Sequence, residues 1–93
     1  MSVAVLLPGY LRPFANDQSV VELPSPVTTV GEALDALAVP YPGVVGRVRT
    51  EEGAVREHVN IFVGGESIRE LEGLQTVLRD GSEILIVPAV SGG

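Results

Sequence analysis

The sequence contains no cysteine and only one histidine among its 93 residues. The lack of cysteine excludes disulfides, thiolate nucleophiles and zinc–thiolate sites. With His58 as the only imidazole, a transition-metal site would have to rest on carboxylates alone, which favour harder ions. We therefore expect this chain to use neither a metal ion nor an organic cofactor.

Two kinds of targeting or anchoring segment are also missing. A secretory leader carries basic side chains before its apolar stretch, and residues 1–7 contain none. No apolar run approaches the roughly 20 residues that a membrane helix requires. We expect a cytoplasmic protein that makes no membrane contact.

Basic residues are few and of one kind. Six arginines and no lysine stand against twelve acids, which gives a formal net charge of -6. Such a surface repels phosphate backbones, so nucleic acid is not an expected partner. Because opposite charges steer protein encounters, a basic protein surface is the expected docking site.

The apolar content is sufficient for a folded core. Hydrophobic residues make up 45% of the chain and charged residues 19%, a balance that favours a globular fold over disorder. The length corresponds to one domain with a modest core. We expect residues 1–93 to form that single domain, with residues 89–93 as an extended C-terminal tail.

Apolar runs predict the strands. Residues 2–7 and 83–87 are apolar on both faces and predict buried strands, whereas residues 19–23 and 58–63 mix polar and apolar positions as flanking strands do. Gly64 and Gly65 predict a tight hairpin into a short strand over residues 66–69, because glycine tolerates positive φ.

One helix is predicted by a single apolar stripe. Its members are spaced at i, i+3, i+4, i+7 and i+8: Val30, Ala33, Leu34, Leu37 and Ala38. Thr29 and Glu32 have the spacing of a capping box at its start, and Pro40 ends it. Residues 41–56 are predicted to form a turn and an irregular loop.

These elements predict an α+β fold, a mixed sheet of four to five strands with one helix packed across one face. The first and last strands are the most apolar, so we expect them side by side and parallel in the middle of the sheet. The last strand then holds the chain end at a fixed place on the body.

Several segments resemble the ubiquitin-like β-grasp sulfur carriers of the MoaD/ThiS family. They are Leu11-Arg12-Pro13, Val59-Asn60-Ile61-Phe62-Val63 with Ile68-Arg69, Asp80-Gly81, and the final Ile86-Val87-Pro88-Ala89-Val90-Ser91-Gly92-Gly93. The likeness spans nearly the whole chain. It is greatest to the carriers of cysteine biosynthesis, and next to the small subunit of molybdopterin synthase.

The resemblance implies a carrier that is not itself an enzyme. A ubiquitin-activating-like enzyme would adenylate the Gly93 carboxylate with ATP, and a sulfur donor would convert it to a thiocarboxylate. Val90, Ser91 and Gly92 would thread the tail into a partner. The implied acceptor is a cysteine synthase type enzyme or the molybdopterin synthase large subunit, with thiamine biosynthesis as a further route.

Other side chains are weaker candidates. If Val59, Ile61 and Val63 face the helix, Phe62 lies on the open face of the sheet beside a residue of the last strand, where an exposed aromatic marks a partner-binding surface. The alternative is that Phe62 itself lies in the core. His58 lacks a recognisable catalytic partner, and the acids Glu51, Glu52, Glu66, Glu70 and Glu72 are expected in solvated loops and turns.

Two other functions share this sequence pattern. A ubiquitin-like modifier would be joined through Gly93 to lysines of other proteins, although a chain without lysine cannot build polymers of itself through side-chain amines. A non-catalytic β-grasp binding module would have an inert tail.

Overall fold

The sheet and helices can be followed through residues 2–24 and 26–88, which the computed structural model describes. Within those residues the strands are β1 (Ser2–Leu6), β2 (Val20–Pro24), β3 (Val59–Val63), β4 (Glu66–Ser67) and β5 (Glu83–Pro88), and the helices are α1 (Val30–Ala38) and α2 (Pro42–Val48). Short 3-10 turns cover Arg12–Ala15, Ile68–Glu70 and Gly73–Gln75. No helix in the described ranges is long and apolar enough to cross a bilayer.

The strands form a mixed sheet in the order β2-β1-β5-β3-β4. β1 and β5 are parallel neighbours, with Val5 beside Ile84, which confirms the predicted pairing of the first and last strands. β5 is also antiparallel to β3. The last strand is therefore held on both sides.

Helix α1 crosses one face of the sheet, as its stripe predicts. Val30, Ala33, Leu34 and Leu37 are buried, and Ala38 is half-buried. The Thr29 hydroxyl accepts a hydrogen bond from the Glu32 N–H at 3.1 Å, as in a capping box.

The second half of that cap departs from the expected pattern. The Glu32 carboxylate accepts from the N–H and the hydroxyl of Thr28, at 2.8 and 2.9 Å, one residue earlier than a capping box requires. The hydrogen bond from the Thr28 N–H is the main reason that the pKa of Glu32 is lowered. The carboxylate thus remains ionised next to the positive end of the helix.

The prediction of an irregular loop over residues 41–56 is wrong in its first half, where α2 forms. Pro42 occupies the first turn, where its missing N–H costs nothing. Val44, Val45 and Val48 are buried against the rest of the core. Gly43 and Gly46 lower helix propensity here, so tertiary packing of the valines decides the structure.

The turns follow their residue types, and one predicted strand is shorter than expected. Gly64 and Gly65 both have positive φ, 60° and 85°, as a tight hairpin requires. The strand predicted over residues 66–69 stops after Ser67, and Ile68 begins a 3-10 turn that buries its side chain in the core.

The core lies between the sheet and the two helices. Its largest side chains with almost no solvent exposure are Leu11, Leu34, Leu37, Ile61, Ile84 and Ile86. Ile84 and Ile86 point inward from β5, so the alternate positions Glu83 and Leu85 lie on the opposite, open face.

Candidate functional site

The described part of the chain ends with β5. Pro88, its last residue, is paired with Val59, the first residue of β3. The predicted tail residues Val90, Ser91, Gly92 and Gly93 lie outside the described residues. Their functional roles therefore stay predictions.

Arg69 holds the segment that faces the end of β5. Its Nη1 donates to the Asn60 Oδ1 at 2.5 Å, and its Nη2 donates to the carbonyl oxygen of Val59 at 3.0 Å. The same nitrogen lies 3.2 and 3.4 Å from the carbonyl oxygens of Arg56 and Glu57. One guanidinium thus fixes the approach to β3, and through the pairing of Val59 with Pro88 it fixes the place where the tail begins.

An apolar row crosses the open face of the sheet. Register places Val20 beside Leu6, Leu6 beside Leu85, and Leu85 beside Phe62. Val20 and Leu85 are 45% and 40% exposed, far more than core side chains, and Leu6 and Phe62 are half-buried. Four neighbouring apolar side chains partly in water have the composition of a contact surface. We call these four residues the open-face row.

Phe62 lies on the open face because its neighbours in β3 are buried. Val59 and Ile61 are 0% and 1% exposed in the core, so alternation places Phe62 on the other side, beside Leu85. Toward the β3–β4 hairpin, Leu6, Phe62 and Leu85 continue into a shallow pocket bordered by Gly64 and Gly81. The role of Phe62 in binding remains a prediction.

His58 and the acidic residues are in solvent. His58 is exposed and has no hydrogen bond to any described side chain, and Glu51 and Glu52 occupy an exposed turn after α2. Glu66, Glu70 and Glu72 are also exposed. Within the described ranges no three His, Cys, Asp or Glu side chains come together in a way that could hold a metal ion.

Two features of this region are absent from the sequence-based prediction. The sequence predicts a neighbour of Phe62 on the last strand, and alternation with the buried Ile84 and Ile86 would have identified it as Leu85. The continuation of the row through Leu6 to Val20 was not predicted. The role of Arg69 has no local signal, because its acceptors are carbonyl oxygens at positions 10 to 13 residues earlier.

The five-stranded sheet with helices on one face and an apolar row on the other defines a ubiquitin-like β-grasp protein. The family model described as "ThiS family" matches residues 5–93. That match covers most of the chain and includes the Gly-Gly end. The chain belongs to the ThiS family of ubiquitin-like sulfur carriers.

Individual relatives agree with this assignment. The chain is 35% identical over 95 residues to the sulfur carrier protein CysO of Mycobacterium tuberculosis, with 100% of both chains covered. It is 40% identical over 65 residues to small archaeal modifier protein 3 of Haloferax volcanii, which covers 70% of each chain. A chain of the Amycolatopsis orientalis BexX/CysO crystal structure superposes with a TM-score of 0.86 at 32% identity, covering 98% of this chain and 99% of that one.

Proposed function

We propose that this protein is a single-domain, cytoplasmic sulfur carrier that works through the carboxylate of Gly93 and is a substrate rather than an enzyme. The observation that carries the proposal is the match to the ThiS family, which extends to Gly93. The full-length likeness to a sulfur carrier protein supports it.

The chemistry explains why a partner enzyme is required. A C-terminal carboxylate with a pKa near 3.5 is an anion at neutral pH and resists nucleophiles. Attack of its oxygen on the α-phosphorus of ATP forms an acyl-adenylate and releases pyrophosphate. Sulfide then attacks the carbonyl carbon and expels AMP, which leaves the thiocarboxylate. The carrier itself supplies only the carboxylate and a surface for docking.

The described fold suits this task. β5 is hydrogen-bonded on both sides, and Arg69 fixes the segment opposite Pro88, so the tail starts from a rigid base. Gly92 and Gly93 have no Cβ, which allows an extended chain to pass through a narrow channel. Val90 and Ser91 add length between that base and the reacting carbonyl.

The open-face row is the proposed contact surface for the activating enzyme. Leu85 lies on β5, the strand that precedes the tail, and Leu6 and Phe62 lie on the strands paired with it, so one partner can bind the row and receive Gly93 at once. Aromatic side chains in contact surfaces often supply a large share of the binding energy. Phe62 is the only aromatic among the four.

For the acceptor, we propose a cysteine synthase type enzyme. The basis is the full-length likeness to a protein named CysO, together with the sequence resemblance to carriers of cysteine biosynthesis. A molybdopterin synthase large subunit or the thiamine pathway would use the same thiocarboxylate, so the choice of acceptor does not alter the chemistry at Gly93.

A second candidate function is protein modification through Gly93. The 40% identity to small archaeal modifier protein 3 favours it, and both functions share the activated carboxylate. They differ in the final nucleophile, which is sulfur in one case and an amine of another protein in the other.

The carrier function predicts a defined change of mass. Incubation with ATP, the adenylating enzyme from the same genome and a sulfide source should add the mass difference between one sulfur and one oxygen atom. Fragmentation should locate the change at Gly93. Isopeptide-linked products on other proteins without a thiocarboxylate would favour the modifier. If an enzyme of proven activity yields neither the thiocarboxylate nor isopeptide-linked products, both functions are contradicted.

Replacing Phe62 with Ala should weaken docking of the activating enzyme. We expect KM for the carrier to rise roughly tenfold with little change in kcat, because a partly buried aromatic contact is lost before chemistry starts. ATP–pyrophosphate exchange measures both constants. Val39→Ala is the control, since Val39 is 84% exposed at the end of α1 and lies outside the open-face row. Equal KM values for the two variants would exclude the row as the docking surface.

A further inference from the structure

The arginines of this protein are mostly not neutralised by its acids. Within the described residues one ion pair forms, between Arg49 Nη1 and Asp35 Oδ1 at 2.7 Å. Other arginines bind backbone carbonyls instead: Arg47 donates to the Gly43 oxygen, and Arg56 donates through two nitrogens to the Gly46 oxygen. A carbonyl satisfies the donors of a guanidinium but leaves its positive charge in place.

These charges gather at one end of the sheet. Tyr10, Arg47, Arg56 and His58 line one shallow depression, and we call these four residues the arginine patch. β1 and β5 both run toward this end, and β3 begins there. His58 directly precedes Val59, the residue paired with Pro88, so the patch lies next to the last described residue before the tail.

Aromatic rings order part of the patch. The Arg47 guanidinium carbon lies 3.6 Å from the centroid of the Phe14 ring. Such stacking holds the flat face of the guanidinium and leaves the N–H groups that do not bind the Gly43 oxygen available to an acceptor. Like any tyrosine hydroxyl, that of Tyr10 is protonated at neutral pH and is a further donor in the patch.

The opposite end of the sheet is acidic. Glu66, Asp80 and Glu83 lie around the β3–β4 hairpin and the start of β5, with Arg79 as the cation among them. At the patch end Glu57 lies between Arg56 and His58, and Glu51 and Glu52 occupy the exposed turn after α2. Arg47 and Arg56 thus form a local pair of cations on a molecule whose net charge is -6.

We propose that the arginine patch docks onto acidic side chains of the enzyme that takes up the tail. This inference rests on the proposed function, because a partner that receives Gly93 must face the end of the sheet from which the tail departs. Carboxylates are the natural acceptors for guanidinium edges and for the donors of Tyr10 and His58. The expectation of a basic partner surface came from net charge, whereas the charged side chains that line the depression near Pro88 are arginines.

Reversing one charge of the patch tests this docking. With the activating enzyme that yields the thiocarboxylate, Arg47→Glu should raise KM for the carrier at least about tenfold, and His58→Glu should raise it in the same direction. Arg79→Glu makes the same change of net charge as Arg47→Glu, but at the other end of the sheet, and should alter KM less than about twofold. Raising the salt concentration should weaken wild-type docking more than docking of Arg47→Glu, because a screened attraction has been removed. Thermal unfolding verifies that all three variants are folded.

The outcomes separate this inference from the function on which it rests. If the wild-type protein is activated and the Arg47 and Arg79 variants are equally efficient, the docking inference is wrong and the carrier function stands. If the wild-type protein is not activated, a hexaglutamate peptide titrated by NMR still tests the patch. Amide shifts centred on residues 10, 47, 56 and 58 would support acidic recognition, and shifts elsewhere or none would overturn it.

Discussion

Deletion of Gly93 should abolish thiocarboxylate formation and leave the folded core unchanged. The carboxylate would then belong to Gly92 and end one residue short of the activating centre, where small misplacements cost large factors in rate. The buried core extends from Val3 to Ile86, so the midpoint of thermal unfolding should stay within error of the wild type. Mass spectrometry and circular dichroism provide the two readouts.

Two companion variants sharpen this test. One additional alanine after Gly93 keeps every native residue but moves the carboxylate outward, and it should be as inactive as the deletion. Gly92→Ala should slow activation without blocking it, because a Cβ restricts φ and ψ and crowds a narrow channel. A protein without Gly93 that still gains sulfur, or still replaces the wild-type gene in the cell, would refute the proposed role of the tail.

Replacing Leu34 with Ala should cause a large loss of stability. The Leu34 side chain is 0% exposed in the core between helix and sheet. Truncation of such a leucine costs about 2–5 kcal/mol through lost transfer energy and the remaining cavity. Because small domains are stable by only about 5–15 kcal/mol, the midpoint of thermal unfolding should fall by roughly ten degrees or more.

Leu37→Ala should behave in the same way, since Leu37 is equally buried. Val39→Ala is the matched control, because it removes methyl groups from a side chain that is mostly in solvent and should cost less than about 0.5 kcal/mol. Urea unfolding gives the free energies. A Leu34 variant as stable as the Val39 variant would mean that the packing of α1 on the sheet is wrong.

The sequence predicts those elements whose apolar pattern is strong and local. The stripe from Val30 to Leu37 and the double-sided apolar runs of β1 and β5 correspond to structures that the residues themselves favour. From these the central parallel pair and the position of the chain end follow, because a crossover connection leaves few other arrangements.

What sequence reasoning missed depends on distant partners. α2 is stabilised by burial of Val44, Val45 and Val48. Its two glycines lower the helix propensity of the segment, so the local sequence does not predict a helix there. The position of the Arg69 side chain depends on hydrogen bonds to carbonyl oxygens that come near it only when β3 is part of the sheet. The arginine patch likewise cannot be read from a net value, since residues 10, 47 and 58 meet only after folding.

The parallel pairing of β1 with β5 also determines how the protein resists force. Ladder hydrogen bonds lie across the strands, so a pull on the tail along β5 loads its bonds to β1 and β3 in shear, many at once. A pull at right angles would instead break them one after another. An enzyme or protease that pulls on the tail along β5 therefore acts in the direction in which the sheet is most resistant to mechanical unfolding.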